Sequence, residues 1–136
     1  DLGCGPGWYA AAMRAAGLRT CALDLSEAML REAGRRAPGV ARVCADLAAL
    51  PFGRGRLDAA WASNTYCHVP LAELPLALAE LHAAVRVGGA VELTLPRLEA
   101  FAAAEGDEIE HRSGRGDDLP GRLFVGVTLP RARALL

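Results

Sequence analysis

The chain has 136 residues, enough for one folded domain with a hydrophobic core. Its composition, 52% hydrophobic and 23% charged, is typical of a folded protein and excludes a disordered one. A net charge of -1 disfavours nucleic acid and anionic membranes as partners, and no apolar run is long enough to span a bilayer, so a cytoplasmic location is expected.

Apolar periodicity and turn residues predict an alternation of helices and strands. In chain order we first predict a helix at Trp8–Ala16, a strand at Arg19–Leu23 and a helix that is capped by Ser26 and stopped by Pro38. Strands at Val40–Ala45 and Leu57–Ser63 follow, and then a helix with Pro75 in its first turn and a leucine stripe that reaches Val85. The last predicted elements are strands at Ala90–Leu95 and Arg122–Thr128 and a helix at Pro130–Leu136. This alternation implies right-handed crossovers and a mostly parallel sheet covered on both faces. The expected fold class is α/β.

Residues 1–136 are read as a single domain with three parts. Residues 1–95 form the alternating core, 96–121 are a polar, Gly- and Asp-rich stretch predicted to be a variable loop or insertion, and 122–136 open a last strand and helix. The four cysteines form no C-x-x-C pair, so no metal site is predicted and buried, reduced thiols are expected.

Three predicted strand ends carry an aspartate, namely Asp1, Asp24 and Asp46. In doubly wound sheets the ligand binds outside the carboxyl ends of the strands. The glycines of the loop at residues 3–7 allow a sharp turn and close approach to a ligand. The spacing favours a ligand with a cationic group beside Asp1, a ribose at Asp24 and an adenine amino group at Asp46. Capping of the following helical turns is the alternative role for Asp24 and Asp46.

A nicotinamide dinucleotide is the competing ligand. Its G-x-G-x-x-G fingerprint needs a third glycine for close packing of helix and strand, and in this chain that position is Trp8. Asp1 before the loop would also repel the pyrophosphate. An NAD-type oxidoreductase is therefore the less favoured interpretation.

The chain resembles the class I S-adenosylmethionine-dependent methyltransferases. The similarity rests on five segments that cover residues 1 to about 95, namely DLGCGPG at 1–7, LDLSEAML at 23–30, AD at 45–46 with LPF at 50–52, SNTYCHVP at 63–70 and VRVGG at 85–89. The resemblance implies a Rossmann-like, doubly wound sheet in which the glycine loop follows the central first strand. The chain is accordingly expected to lack most of that strand and the last strand, as a domain truncated at both ends.

The resemblance also implies S-adenosylmethionine as the cofactor and methyl transfer to a small-molecule acceptor by in-line displacement. Leu25 and Leu47 would flank the adenine, and the backbone near Ala62 and Ser63 would meet the methionine end. The full set of implied cofactor-binding residues is Asp1, Gly3, Cys4, Gly5, Gly7, Asp24, Leu25, Asp46, Leu47, Ala62 and Ser63.

His68 is the candidate general base, since it follows the strand at 57–63 and imidazoles exchange protons near neutral pH. The alternative is that it only hydrogen-bonds a neighbouring loop. For the whole chain, a non-catalytic cofactor-binding module and a truncated relic that does not fold stably remain alternatives to an enzyme.

Overall fold

The computed structural model describes residues 1–96, 106, 108–112 and 123–135. Its elements, in chain order, are α1 (Trp8–Ala15), β1 (Cys21–Asp24), α2 (Glu27–Arg36), β2 (Ala41–Cys44), β3 (Leu57–Ala62), a 3-10 turn (Tyr66–His68), α3 (Leu74–Ala84), β4 (Val85–Leu93), β5 (Glu108–Arg112), β6 (Leu123–Val127) and α4 (Leu129–Leu135). The α/β class is confirmed, and most of the predicted bounds agree to within two residues.

The central sheet is parallel. β1 pairs with β2, and β3 pairs with β4. Residues 1 and 2 join the two pairs, because Leu23 donates its N–H to the Asp1 carbonyl at 2.8 Å and Leu2 donates to the Trp61 carbonyl at 2.8 Å. Asp1 and Leu2 therefore lie between β1 and β3, which confirms the central position predicted for them.

Helices cover both faces of the sheet, as a doubly wound fold requires. Ala22 and Leu23 are adjacent in β1, so their side chains point to opposite faces. Ala22 packs in a cluster with Ala10 of α1 and Ala33 of α2. Leu23 packs in a second cluster that contains buried leucines of α3 and valines of β6. Each face of the sheet is thus buried under its own set of elements.

The ends of the helices follow local signals. Ser26 caps α2, since its hydroxyl accepts a hydrogen bond from the Met29 N–H at 3.3 Å. Pro75 lies in the first turn of α3, where a missing N–H costs no intrahelical bond. Both predictions are confirmed.

β4 starts five residues earlier than predicted, at Val85 rather than Ala90. Val85 pairs with Leu57 of β3, and the register shifts before Ala59. A Cβ on Gly89 would lie 2.8 Å from the Asp58 carbonyl oxygen, so the missing side chain lets the two strands approach. The VRVGG segment is therefore an irregular first part of β4.

β5 and β6 form an antiparallel pair in which Glu108 is opposite Val127 and Arg112 is opposite Leu123. β5 lies within the stretch 96–121, which was predicted to be a variable loop or insertion, so five residues of that stretch form a strand. The rest of that stretch beyond residue 96, apart from residue 106, lies outside the described residues. Within the part of the chain that is described, no helix is long and apolar enough to cross a membrane.

Candidate functional site

A cleft of about 630 Å³ opens at the carboxyl ends of β1, β2 and β3. Its volume lies within the roughly 300–1,000 Å³ usual for small-molecule sites. Seven of the predicted site residues line it, namely Gly3, Gly5, Asp24, Leu25, Asp46, Leu47 and His68. Five predicted residues do not line it, namely Asp1, Cys4, Gly7, Ala62 and Ser63. The cleft is therefore built mainly from the segments predicted from sequence, with differences at its edges.

Asp24 connects the glycine loop to the start of α2. One carboxylate oxygen accepts from the Gly5 N–H and the other from the Ser26 N–H, each at 2.8 Å. Each oxygen of a carboxylate can accept a further hydrogen bond, so the side chain can still bind hydroxyl groups in the cleft. The position of Asp24 is thus compatible both with the predicted binding of a ligand and with the alternative, capping of the following helix.

The three loop glycines have positive φ angles but different surroundings. A Cβ on Gly3 would lie 2.2 Å from the Thr65 hydroxyl oxygen, and one on Gly7 would lie 2.8 Å from the Ala33 Cα of α2. A Cβ on Gly5 would have no atom within 4 Å. Gly3 and Gly7 therefore allow close packing, whereas Gly5 presents bare backbone to the cleft.

Asp46 lines the cleft shortly after the end of β2. Its Oδ1 accepts from the Ala48 N–H at 2.9 Å, so it caps the turn that follows β2, as the alternative interpretation held. Leu25 and Leu47 line the same cleft, and Leu25 is 69% exposed although it is apolar. An exposed leucine beside a carboxylate suits a flat, partly apolar ring with an amino group.

Asp1 points away from this cleft. Leu2 belongs to the cluster that contains Leu23, and alternation along a strand turns the neighbouring Asp1 side chain to the opposite face. Asp1 lines a separate cleft of about 470 Å³ between β1 and β3, where its Oδ2 is buried without a hydrogen-bond partner. The predicted convergence of three aspartates therefore holds for Asp24 and Asp46 but not for Asp1.

The cysteines differ in exposure. Cys4 and Cys67 are buried, Cys21 is half-buried and Cys44 is exposed, so the expectation of buried thiols is wrong for Cys44. Burial, followed by the charge of Asp24, raises the pKa of Cys4 to about 11. The Cys4 thiol is thus protonated at neutral pH. The backbone N–H of Cys4 donates to the Leu23 carbonyl at 2.9 Å and so connects the glycine loop to β1.

His68 lies in the 3-10 turn after β3 and lines the cleft. Its Nδ1 is 2.6 Å from the Leu123 carbonyl oxygen of β6. The sequence left open whether this histidine is a general base or only bonds a neighbouring segment. The structure shows the contact with β6 and places His68 in the lining of the cleft. Among the described residues, no group of three or more His, Cys, Asp and Glu side chains could hold a metal ion.

Ten lining residues were not among the predicted site residues, and three of these are polar residues that follow β3, namely Asn64, Thr65 and Glu73. After β3, Asn64 and Thr65 line the cleft in place of the predicted Ala62 and Ser63. Asn64 has a φ of 53°, a conformation that asparagine adopts more readily than most residues. The buried Thr65 hydroxyl lies 3.0 Å from the Leu2 carbonyl oxygen. An asparagine directly after a strand is the one sequence signal that could have indicated this edge.

A family model described as a methyltransferase domain matches residues 1–89. The malonyl-[acyl-carrier protein] O-methyltransferase of Pseudescherichia vulneris is 43% identical over 96 residues, which are 69% of this chain and 37% of that protein. The protein of the same name from Serratia marcescens is 33% identical over 132 residues, which are 96% of this chain and 47% of that protein. The chain thus spans less than half the length of these curated relatives.

The crystal structure of 1,6-didemethyltoxoflavin-N1-methyltransferase from Burkholderia thailandensis, with bound S-adenosylhomocysteine, has the same fold. It superposes with a TM-score of 0.77 at 24% identity and covers 100% of this chain and 56% of that one. The strand order, the glycine loop and the matching family model agree with one another. The chain belongs to the class I S-adenosylmethionine-dependent methyltransferases.

Proposed function

We propose that the protein binds S-adenosylmethionine in the 630 Å³ cleft and transfers its methyl group to a small-molecule acceptor. The observation that carries the proposal is that Asp24, Asp46 and the bare backbone of Gly5 line one cleft. No comparison supports the alternative of an NAD-type oxidoreductase. The catalytic and cofactor-binding roles below are part of this proposal.

The cleft suits the adenosyl part of the cofactor. Asp24 has one backbone donor on each oxygen and retains acceptor capacity for the two ribose hydroxyls. Asp46 uses Oδ1 to cap its own turn, which leaves Oδ2 for the adenine amino group. Leu25 and Leu47 supply apolar surface for the ring.

The glycine loop supports the remainder of the cofactor. Gly5 allows the chain to approach a ligand without a side chain in between. The N–H of Gly5 is already bonded to Asp24, so a ligand at Asp24 is held at a fixed position relative to the loop. Asp1, Cys4, Gly7, Ala62 and Ser63 are proposed to act through the shape and charge of the loop and of the end of β3, since they do not line the cleft.

The bound cofactor supplies a methyl group on a sulfonium, whose leaving group is neutral. The chain's own contribution is to position the acceptor and to accept the proton that the acceptor loses. His68 lines the cleft together with Val69, Pro70 and Glu73, a segment that is separate in sequence from Asp24 and Asp46. An acceptor hydroxyl or amine there could transfer its proton to the imidazole, whereas a carboxylate acceptor has no proton to lose.

The acceptor class rests on two observations. The net charge of -1 disfavours a nucleic acid, and the cleft has the size of a small-molecule site. The relatives named above are malonyl-[acyl-carrier protein] O-methyltransferases, so a malonyl thioester belongs in any panel of acceptors. Hydroxyl and amine acceptors complete the panel.

The test is transfer of a labelled methyl group to that panel by the wild type, by His68→Ala and by the control His82→Ala, whose histidine is exposed on α3 outside the cleft lining. With a hydroxyl or amine acceptor we expect His68→Ala to lower turnover by about 10²-fold or more without changing the Kd for the cofactor. His82→Ala should behave as the wild type. Cofactor binding without methyl transfer to any acceptor would indicate a non-catalytic binding module, and absence of binding would refute the proposal as a whole.

A further inference from the structure

β6 holds the imidazole of His68 through two contacts. The Leu123 carbonyl oxygen lies 2.6 Å from Nδ1, and the Phe124 ring meets the imidazole edge-on, with centroids 5.0 Å apart and planes at 69°. The first contact gives the Nδ1 atom a hydrogen-bond partner, and the second restricts rotation of the imidazole ring. Leu123 and Phe124 are 55 and 56 residues away from His68 in sequence.

The hydrogen bond determines which nitrogen carries the proton. A backbone carbonyl oxygen can only accept, so Nδ1 must donate to Leu123 and must carry the hydrogen. In the neutral ring the lone pair is then on Nε2. A free neutral histidine is not restricted to this tautomer, so the contact selects one form.

The strand that makes these contacts is itself fixed. Val125 and Val127 of β6 are buried in the cluster that contains Tyr66, two residues before His68. The partner strand contributes a second link, because the Leu71 N–H donates to Glu110 Oε2 of β5 at 3.0 Å. Both strands of the antiparallel pair therefore bind the segment that carries His68.

We infer that the β5–β6 pair is a positioning device that fixes His68 as the Nδ1–H tautomer, with the Leu123 carbonyl selecting the proton position and the Phe124 ring restricting the imidazole. Leu123 and Phe124 are thus positioning residues, which act through His68 and need not touch the acceptor. The consequence for turnover depends on the role proposed above for His68. The tautomer itself does not depend on that role.

The direct test is the protonation pattern of the histidine side chains in the ¹⁵N-labelled protein, from long-range ¹H–¹⁵N correlation spectra at a pH where imidazoles are neutral. The His68 signals are assigned by their loss in His68→Gln. We expect Nδ1 to be protonated in His68, whereas His82, exposed on α3, provides the internal reference for an unconstrained ring. A His68 ring protonated on Nε2 would overturn the inference, whether or not the protein transfers methyl groups.

Phe124→Leu tests the second contact, because it keeps an apolar residue in β6 and removes the ring edge. We expect an admixture of the Nε2–H form and, with a hydroxyl or amine acceptor, about a tenfold lower kcat at nearly unchanged KM, which is the scale of lost orienting contacts. Phe52→Leu is the matched control, since Phe52 is also an aromatic residue and packs against the cluster that contains Tyr66, whereas the ring that contacts His68 is that of Phe124. An unchanged tautomer and kcat in Phe124→Leu would overturn the role assigned to Phe124. An altered tautomer in Phe124→Leu with unchanged turnover would retain the positioning inference and refute His68 as the base.

Discussion

Replacement of Asp24 should affect both the fold and the site, because one carboxylate serves both. Asp24→Ala leaves the N–H groups of Gly5 and Ser26 without their acceptor. Hydrogen bonds to charged groups contribute roughly 1.5–3 kcal/mol each. Asp24 is only half-buried, so water can replace part of the lost bonding, and we expect a loss of about 1.5–3 kcal/mol of unfolding free energy for the two bonds together.

The same substitution removes the proposed ribose acceptor. Loss of a hydrogen bond to a charged group lowers binding free energy by roughly 1.5–3 kcal/mol, or about 10- to 150-fold in Kd. Asp24→Asn separates the two effects, since its amide oxygen still accepts from one of the two N–H groups while its NH₂ group faces the other. We expect it to be more stable than Asp24→Ala but to bind the cofactor almost as weakly.

Urea unfolding and calorimetric titration with S-adenosylhomocysteine measure the two quantities. Glu27→Ala is the matched control, because Glu27 is also an acidic residue near the start of α2 but is exposed and, within the described part of the chain, forms a salt bridge with Arg31 alone, at 3.6 Å. An exposed pair of this kind contributes about 0–1 kcal/mol, so the control should be nearly silent in both assays. Wild-type affinity in Asp24→Ala would refute the ribose assignment, and wild-type stability would refute the structural role.

Two further predictions concern the glycine loop. Gly3→Ala should lower the free energy of unfolding by about 1–3 kcal/mol, because its Cβ would lie 2.2 Å from the Thr65 hydroxyl oxygen and its φ is 60°. The cost, measured by urea unfolding, should be smaller in a Thr65→Ala background, and an equal cost there would contradict the steric explanation. Burial raises the pKa of Cys4 from 9.0 to about 11, so the folded chain keeps the thiol proton at pH values where the unfolded chain loses it. The contribution of Cys4 to the free energy of unfolding should therefore be complete below pH 9 and fall as the pH rises towards 11. Cys4→Ala should lack this fall, and an equally steep fall in Cys4→Ala would show that the thiol is not the cause.

Local sequence signals were sufficient for most of the elements and for seven of the residues that line the cleft. Asp24 and Asp46 directly follow the predicted strands at 19–23 and 40–45, and parallel strands place their carboxyl ends at one edge of the sheet. The glycine loop could be predicted because positive φ angles strongly favour glycine. Such features depend on a residue and its immediate neighbours along the chain.

Contacts between distant segments decided the rest. The side chain of Asp1 turns away from the cleft because the pleat of the central strand places Leu2, and not Asp1, on the face shared with Leu23. β5 forms in a polar segment because β6 supplies its hydrogen-bonding partner, and strand formation depends strongly on such context.

For this protein, the sequence by itself determined the α/β alternation, the family and most of the residues proposed to bind an adenosyl group, because these depend on local conformation and on spacing along single elements. Only the tertiary structure decided which of the three aspartates share a cleft and which nitrogen of His68 carries a proton. The reason is physical: a side chain's direction and its hydrogen-bond partner depend on which distant strand packs beside it. Leu123 is 55 residues from His68 along the chain and 2.6 Å away in space.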